Sequence, residues 1–235
     1  MRLALFGRGE MGRAVAERAR AAGLEIGLVF ASTDGGRDGE QLVARLRGHD
    51  VAIDFSVADA VLSHATACAR AGVALVEGTT GWRDRESEVR GAVARGDGAM
   101  VYGANFSIGA NLFLRLVTRA AELFRGTPDY EPFIEEAHHA HKRDAPSGTA
   151  LRLRDIVAGV SGRAISIAST RAGHIPGTHR VGFDSHADQI VLEHSARSRD
   201  GFAAGALVAA SWIAGRRGVF TFDEVVDDLL ATAKR

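Results

Sequence analysis

Residues 3–12 read Leu3-Ala4-Leu5-Phe6-Gly7-Arg8-Gly9-Glu10-Met11-Gly12, an apolar strand followed at once by a G-x-G-x-x-G turn. Small and apolar residues then recur at helical spacing over 11–22. The order strand, glycine turn and helix is typical of a dinucleotide-binding unit. In such a unit the first glycine permits the turn, the second admits the pyrophosphate, and the third lets helix and strand pack closely. A purely structural turn is the alternative, because the chain has 28 glycines.

The alternation of strand and helix continues beyond this turn. Further strands are predicted at 26–30, 51–55, 73–76 and 99–102, separated by helices at 41–46, 58–71 and 83–94. Five strands separated by helices predict a parallel, doubly wound sheet, because right-handed crossovers place helices on both faces. Such a Rossmann-like sheet binds its ligand beyond the carboxyl ends of the strands.

The pattern changes after residue 106. Helices at 110–124 and 149–157 flank a strand at 132–137, and further strands follow at 165–170, 178–183 and 189–195. Turn-forming residues between these last strands, including 185–188, suit antiparallel hairpins. The sequence therefore predicts an α/β protein with a second domain of α+β type, followed by helices at 202–214 and 222–233.

Composition and charge exclude several classes of function. The 29 basic residues balance 29 acidic ones, so no overall positive field exists to attract nucleic acid or an anionic membrane surface. The apolar runs are far shorter than the roughly 20 residues of a membrane-spanning helix. The single cysteine, Cys68, permits no intramolecular disulfide, and the N-terminus shows no signal-peptide pattern. We expect a cytoplasmic protein without nucleic-acid or membrane partners.

A second segment, His138-His139-Ala140-His141-Lys142-Arg143-Asp144-Ala145-Pro146-Ser147-Gly148-Thr149, places three of the nine histidines beside a lysine. Metal ligation by His138, His139 and His141 with a carboxylate is one interpretation, and a structural or solvated cluster is another. In a continuing strand His138 and His139 would point to opposite faces, which disfavours a common metal centre. We therefore expect no metal.

Acid–base chemistry agrees better with the residues that follow. Pro146 disfavours helix at Ala145, and the next three residues, 147–149, open a helix with exposed amides and hydroxyls that suit a carboxylate. An ordinary helix cap is the alternative role of Ser147 or Thr149. A cationic Lys142 attracts an anion, and an imidazole of near-neutral pKa can donate a proton. Together with the glycine turn, this predicts hydride transfer to a small carboxylate-bearing substrate, followed by protonation.

The segment 136–150 also carries a resemblance to a known family. The chain resembles the 4-hydroxy-tetrahydrodipicolinate reductases, or dihydrodipicolinate reductases, of lysine and diaminopimelate biosynthesis over essentially its whole length. Four further motifs occur in the family's order: Ile53-Asp54-Phe55-Ser56, Gly78-Thr79-Thr80-Gly81, Ala104-Asn105-Phe106-Ser107 and Ser198-Arg199-x-x-Phe202-Ala203. The resemblance implies reduction of a cyclic imine dicarboxylate, formed by dehydration of the hydroxylated substrate, to tetrahydrodipicolinate by NADH or NADPH.

The resemblance also implies a domain organisation. Residues 1–106 and 200–235 would form the dinucleotide-binding domain, because the C-terminal segment returns to it in this family. Residues 107–199 would form a substrate-binding and oligomerisation domain built on an open mixed sheet. Members of the family are usually homotetramers joined through that sheet, so the strands over 165–195 are the expected surface.

Residue roles follow from the resemblance position by position. His138 and Lys142 would be the general acids. His139, Gly148 and Thr149 would bind the substrate carboxylates, with Ser147 beside them. The cofactor contacts would fall on Gly7, Arg8, Gly9, Glu10, Met11, Gly12, Gly78, Thr79, Thr80, Gly103, Ala104, Asn105 and Phe106, with Arg199 and Phe202 also reaching the cofactor.

Cofactor preference depends on the loop after the second strand. Many family members carry an acidic residue, or an acidic–arginine pair, where Ser32 and Thr33 stand here. Ser32 and Thr33 can hydrogen-bond a 2′-phosphate and Arg37 can pair with it, although an ordinary solvated loop is the alternative. Our hypothesis is that NADPH is accepted at least as well as NADH.

Two other functions use the same glycine turn. One is that of another nicotinamide enzyme, such as an amino-acid dehydrogenase, with different substrate contacts. The other is a non-catalytic module that senses NAD(H) and binds a partner. The sensing module has less support, because the sequence shows no basic DNA-reading helix and has no net charge.

Overall fold

The computed structural model describes residues 1–31 and 39–232, and its first strand, β1 (Arg2–Phe6), is buried from Leu3 to Phe6. A strand buried at successive positions is covered on both faces, which is typical of a parallel sheet with helices on each side. Ser32, Thr33 and Arg37, on which cofactor preference was expected to depend, lie outside the described residues.

Strands and helices alternate in the first half of the chain, whereas three strands follow one another in the second half. The strands are β2 (Glu25–Phe30), β3 (Val51–Asp54), β4 (Ala74–Glu77), β5 (Ala99–Tyr102), β6 (Glu131–His138), β7 (Ile167–Arg171), β8 (Gly177–Asp184), β9 (Gln189–Ala196) and β10 (Gly218–Thr221). The helices are α1 (Glu10–Ala21), α2 (Gly39–Leu46), α3 (Val61–Ala71), α4 (Glu86–Arg95), α5 (Ile108–Phe124), α6 (Gly148–Ser161), α7 (Asp200–Ile213) and α8 (Phe222–Thr232). Among the described residues, no helix combines the length and apolarity needed to cross a bilayer.

The chain divides into two units, of which the first comprises Met1–Ile108 and Arg199–Arg235. Its sheet has six strands in the order β10-β5-β4-β3-β1-β2, and every neighbouring pair is parallel. The order reverses between β1 and β3, so the predicted doubly wound Rossmann-like architecture is confirmed.

The prediction of five strands missed β10. This strand is only four residues long, follows two arginines directly, and pairs with β5 at the edge of the sheet. Its half-buried residues carry no long apolar run, so only pairing with β5 identifies it as a strand. Two predicted helices are also shorter than expected, because α3 and α4 are each preceded by a separate 3₁₀ turn, Ala58–Ala60 and Arg83–Arg85.

Helix α7 packs closely against the first sheet because it presents small residues. Ala203, Ala206, Ala209 and Ala210 are all fully buried. Gly205 lies in the same helix, and a Cβ built there would lie 1.7 Å from the carbonyl oxygen of Phe106. The absence of a side chain at Gly205 therefore sets how near α7 approaches the segment that follows β5.

The second unit, Gly109–Ser198, contains a mixed sheet in the order β7-β6-β8-β9. The predicted hairpin between β8 and β9 is confirmed, and its turn is closed by the Ser185 amide, which donates to the Asp188 carbonyl at 2.9 Å. The antiparallel arrangement was wrong for the strand predicted at 165–170. That segment forms β7, which runs parallel to β6, because α6 lies between them in the chain and supplies the crossover.

Substituting Gly205 tests the close approach of α7. We expect Gly205→Ala to destabilise the protein by about 1–3 kcal/mol, because overpacking forces the backbone apart. Gly201→Ala in the same helix is the matched control, since its Cβ would make only ordinary contact, 3.5 Å from Ser107 Oγ. The free energy of unfolding is measured with urea. Equal stability of the two variants would contradict the packing argument.

Candidate active site

The glycine turn joins β1 to α1 through two backbone approaches that exclude side chains. Gly7 has φ +100°, and a Cβ on it would lie 2.4 Å from the carbonyl oxygen of Phe55. A Cβ on Gly12 would lie 2.1 Å from the carbonyl oxygen of Gly7. At Gly9, by contrast, a Cβ would meet nothing within 4 Å, and no side chain caps the helix there. The amides at the start of α1 are therefore accessible to an anion.

A groove of about 490 Å³ opens at the carboxyl ends of β1, β3 and β4. Arg199 lies at this groove and forms an ion pair with Glu10 at 2.6 Å. Seven residues expected to contact the cofactor line it together: Gly9, Glu10, Met11, Gly78, Thr79, Thr80 and Arg199. Four further lining residues follow β3 and were not assigned from the sequence: Phe55, Ser56, Val57 and Ala58. Their position at and just beyond the carboxyl end of the strand predicted at 51–55 was a signal for them, because ligands bind beyond the carboxyl ends of such strands.

The remaining expected cofactor residues are distributed differently. Gly7, Arg8 and Gly12 line a separate cavity of about 540 Å³, and the Arg8 guanidinium donates to the Val29 carbonyl at 3.1 Å. Gly103 and Ala104 line a smaller cavity of about 150 Å³, which Thr79 and Thr80 also line.

Three expected cofactor residues line none of these cavities. Asn105 accepts a hydrogen bond from the Ser107 amide at 2.8 Å. Phe106 is buried and its ring lies between those of Phe55 and Phe222. Phe202 lies in the first turn of α7, where its amide donates to the Arg199 carbonyl. Ser32 is outside the described residues.

In the second unit, the histidine segment is organised around a buried carboxylate. Glu136 lies near the end of β6 and is 2% exposed. The His138 ring contacts it through Nδ1, 2.5 Å from Oε2. Arg171 of the adjacent strand β7 donates from Nη2 to Oε1 at 2.6 Å, and the Ser147 amide lies 3.4 Å from the same oxygen. Glu136 thus connects β6, β7 and the start of α6.

These contacts determine the charges in the cluster. Burial alone would raise the pKa of Glu136, but hydrogen bonds from Arg171, Ser169 and His138 outweigh it and lower that pKa to about 2. Burial lowers the pKa of His138, and the charges of Lys142 and Arg171 lower it further, against the opposing effect of Glu136. The cluster therefore holds a permanent carboxylate against Arg171, with a largely neutral imidazole at neutral pH.

Ser147 caps α6 as the sequence suggested. Its hydroxyl accepts a hydrogen bond from the Ala150 amide at 3.2 Å and lies 3.0 Å from His179 Nε2. Burial lowers the pKa of His179 to about 4, so its ring is neutral and can accept from the hydroxyl. Because Ser147 is itself 2% exposed, its hydroxyl serves these two protein contacts.

The other predicted substrate-binding residues, and the predicted general acid Lys142, lie near the surface. Gly148 is exposed and Thr149 is half-buried, and both lie in the first turn of α6. Lys142 pairs with Asp144 at 2.8 Å between its Nζ and the carboxylate. His139 is exposed just beyond the end of β6.

The fold does not bring His138, His139 and His141 together as a group of metal ligands within the described residues. Strand β6 ends at His138, so the next two histidines leave the sheet. Within the described residues, the ligand atoms that converge within 4.8 Å belong to Glu136, His138 and His179. Both oxygens of Glu136 already accept hydrogen bonds, one of them from the cationic Arg171. The donor chemistry of this set therefore suits a hydrogen-bonded network better than a bound cation.

Comparison with known proteins covers both units. Residues 1–106 match the family described as dihydrodipicolinate reductase, N-terminus, and residues 109–226 match dihydrodipicolinate reductase, C-terminus. A relative from Christiangramia forsetii named 4-hydroxy-tetrahydrodipicolinate reductase is 37% identical over 97% of this chain and 99% of its own length. One of the same name from Archaeoglobus fulgidus is 35% identical over 97% of this chain and its full length.

Solved structures show the same fold. The dipicolinate-bound dihydrodipicolinate reductase from Paenisporosarcina sp. TG-14 superimposes with a TM-score of 0.79 at 21% identity, over 94% of this chain and 97% of that one. An amine dehydrogenase from Mycobacterium smegmatis gives a TM-score of 0.62 at 11% identity, over 95% of each chain. At these identities the likeness concerns the fold, whereas the sequence matches extend over both units. The chain belongs to the dihydrodipicolinate reductase family.

Proposed function

We propose that this protein reduces 4-hydroxy-tetrahydrodipicolinate, through its dehydrated imine, to tetrahydrodipicolinate with a reduced nicotinamide dinucleotide. The observation that carries the proposal is the match of the whole chain, glycine turn and histidine segment included, to relatives named for this reaction. The first unit would hold the dinucleotide, and the second would hold the dicarboxylate.

The residues of the first unit fit a dinucleotide. A pyrophosphate needs amides at a helix N-terminus and a backbone without an intervening side chain, which Gly9 and the start of α1 supply. The Ser56 hydroxyl oxygen is buried beside the groove and has no hydrogen-bond partner among the described residues. A buried polar atom of this kind suits a ligand that would satisfy it. When bound, a reduced nicotinamide supplies a hydride.

The residues of the second unit fit an anionic substrate. Gly148 leaves the N-terminal amides of α6 open, since a Cβ there would meet nothing within 4 Å. The Thr149 hydroxyl lies in the same turn, and the cationic Lys142 and the imidazole of His139 lie in the loop that precedes it. A helix N-terminus together with cationic side chains favours carboxylate binding. Ser147 would act by holding this turn in place through its cap.

Lys142 and His138 are the side chains that would deliver the proton. Addition of a hydride to a conjugated imine leaves an electron-rich enamine carbon in the substrate, which must gain a proton. The Lys142 ammonium carries a proton to give and places a positive charge where electron density develops. His138 keeps Nδ1 on Glu136, so Nε2 is the atom left to face a substrate. A bound dianion would favour the protonated imidazole, because its charges oppose the effect of burial.

A reductase assay tests the proposal. Freshly generated 4-hydroxy-tetrahydrodipicolinate should cause oxidation of NADPH and NADH by the wild-type protein. Lys142→Ala and His138→Gln should each lower kcat by about 10²–10⁴-fold, the usual contribution of a general acid. Binding of the dinucleotide should be unchanged, because both side chains belong to the second unit.

The matched control is His141→Gln, an exposed histidine of the same segment that should keep wild-type kcat. Wild-type turnover in both test variants would contradict the roles given to Lys142 and His138. Turnover only with an amino acid or another keto acid would identify a different dehydrogenase, and binding of NADH without any turnover would identify a sensing module.

We further propose that both NADPH and NADH serve as cofactor. The support is sequence position: Ser32 and Thr33 stand where an acidic residue would repel a 2′-phosphate, and Arg37 follows closely as a cation that can pair with one. Arg37→Ala should lower kcat/KM for NADPH by at least about tenfold, the loss expected for a charged hydrogen bond of about 1.5–3 kcal/mol, and leave NADH unaffected. The exposed Arg47→Ala is the control. A strong NADH preference that does not depend on Arg37 would refute this proposal.

The last part of the proposal is a homotetramer joined through the sheet of the second unit. Edge strand β9 exposes two neighbouring apolar residues, Ile190 at 47% and Val191 at 43%. An edge with exposed apolar side chains favours pairing with another chain.

Light scattering measures this assembly directly. The wild-type mass should be four times the 24.8 kDa of one chain, and Ile190→Lys should reduce it. Leu116→Lys, at an equally apolar exposed position on α5, should not. A wild-type monomer would exclude the tetramer.

A further inference from the structure

Two carboxyl groups lie buried beneath the groove at the carboxyl ends of β1, β3 and β4, and they take no part in the chemistry proposed above. Asp54 ends β3 and Glu77 ends β4, and both are fully buried. They are direct partners in the register of these parallel strands, so their side chains leave the same face of the sheet from neighbouring backbones, which in a sheet lie about 4.8 Å apart. Two charged carboxylates on adjacent, fully buried positions would repel each other strongly.

Each carboxyl group shapes the loop that follows its own strand. Asp54 Oδ1 accepts the Ser56 amide at 2.8 Å, and Glu77 Oε1 accepts the Thr79 amide at 2.7 Å. The Thr79 hydroxyl joins the two loops, because it accepts from the Ser56 amide at 3.1 Å and lies 3.4 Å from Asp54 Oδ1. Ser56 and Thr79 both line the groove, so these acids hold its floor.

The surroundings distinguish the two acids. His64 of α3 is buried and places Nδ1 2.6 Å from Asp54 Oδ2, which gives Asp54 a donor for a negative charge. Glu77 Oε2 is buried with no partner among the described residues. Burial, and then the charge of Asp54, raise the pKa of Glu77 well above its usual range, against the Thr79 amide, which lowers it. An oxygen without a partner is tolerable on a neutral acid and costly on an anion.

Other titratable groups near the pair do not offset a second charge. Cys68 of α3 faces it as a neutral thiol, whose pKa is raised by burial and by the charges of Asp54 and Glu77. Tyr102 is the register neighbour of Glu77 on β5, but its hydroxyl donates to Glu86. Among the described contacts of the pair, His64 is therefore the one side chain able to carry positive charge.

We propose that Asp54 and Glu77 are positioning residues for the dinucleotide, and that the groove keeps its binding shape only while Glu77 is neutral. This inference rests on the proposed function. Raising the pH ionises Glu77, adds a second negative charge beside Asp54 and displaces the loop held by Thr79. Because binding favours the protonated form, affinity for the dinucleotide is present below the raised pKa of Glu77 and declines above it.

The experiment measures the dissociation constant for NADH by nicotinamide fluorescence on the full-length protein, from about pH 6 to about pH 10, the range above the ordinary pKa of a glutamate. NADH is chosen because it lacks a titrating 2′-phosphate. The wild-type constant should rise at least about tenfold over this range, the change produced by a one-unit difference in pKa between the free and bound protein.

Three variants distinguish the effect of the charge on Glu77 from the effect of the hydrogen bond that it accepts from the Thr79 amide. Glu77→Gln keeps an oxygen for the Thr79 amide but cannot ionise, so it should bind as the wild type does at neutral pH and show no alkaline decline. Glu77→Leu removes the acceptor and should bind NADH at least about tenfold more weakly at every pH, the effect of a lost hydrogen bond of roughly 1.5 kcal/mol in the ligand site. Glu88→Gln, an exposed glutamate on α4, should retain the wild-type profile.

A purely structural role for Glu77 would change stability without this pattern, so kcat at saturating NADH and the thermal midpoint are measured alongside. An alkaline decline that persists in Glu77→Gln, or wild-type affinity in Glu77→Leu, would overturn the inference. Failure of the wild-type protein to bind NADH at any pH would instead refute the proposed function.

Discussion

The first unit depends on the close approach of backbone segments at the glycine turn. A side chain at Gly7 or Gly12 would collide with a backbone carbonyl oxygen, within 2.4 Å at Gly7 and 2.1 Å at Gly12. Only glycine at both positions lets β1, the loop after β3 and the start of α1 lie as close as they do. Gly205 in α7 is constrained in the same way, because a side chain there would collide with the carbonyl oxygen of Phe106. Close packing of backbone, rather than large side chains, therefore shapes the edge of the sheet where the groove opens.

The second unit depends on a buried anion. Glu136 has no solvent exposure on its side chain, and an isolated carboxylate in such a place would be very costly. Arg171, His138 and the Ser147 amide compensate this cost by charge and hydrogen bonding, and they come from β7, β6 and the start of α6. One carboxylate thus fixes the imidazole, the guanidinium and the helix N-terminus relative to one another.

Buried glutamates near strand ends occur in both units, and their pKa values are shifted in opposite directions. Glu136 has a cationic partner and holds a pKa of about 2, whereas burial and Asp54 raise the pKa of Glu77. The difference lies in the neighbours: a guanidinium contacts Glu136, while another carboxylate lies beside Glu77. The sequence does not predict this difference in pKa, because both residues are glutamates near the carboxyl end of a strand.

Much of the fold was predictable because its signals are local. The apolar run before Gly7 and the alternation of strands and helices predicted the parallel sheet, and turn residues at 185–188 predicted the β8–β9 hairpin. Strand β10 was missed and β7 was placed in the wrong pairing, because both are defined by their partner strands. The motif of the histidine segment indicated which residues to consider, and their individual roles stay predictions.

By itself, the sequence determined the order of elements, the glycine turn and the family. These features are encoded in short runs of consecutive residues, so they can be recognised without knowledge of the tertiary structure. Only the tertiary structure decided that Arg171 and His179 join Glu136 and His138, that Phe55 to Ala58 line the groove, and that Asp54 lies opposite Glu77. Each of these brings together segments that are far apart in the chain. Register and burial, which shift the pKa values of Glu136, His179 and Glu77, exist only once those segments have packed.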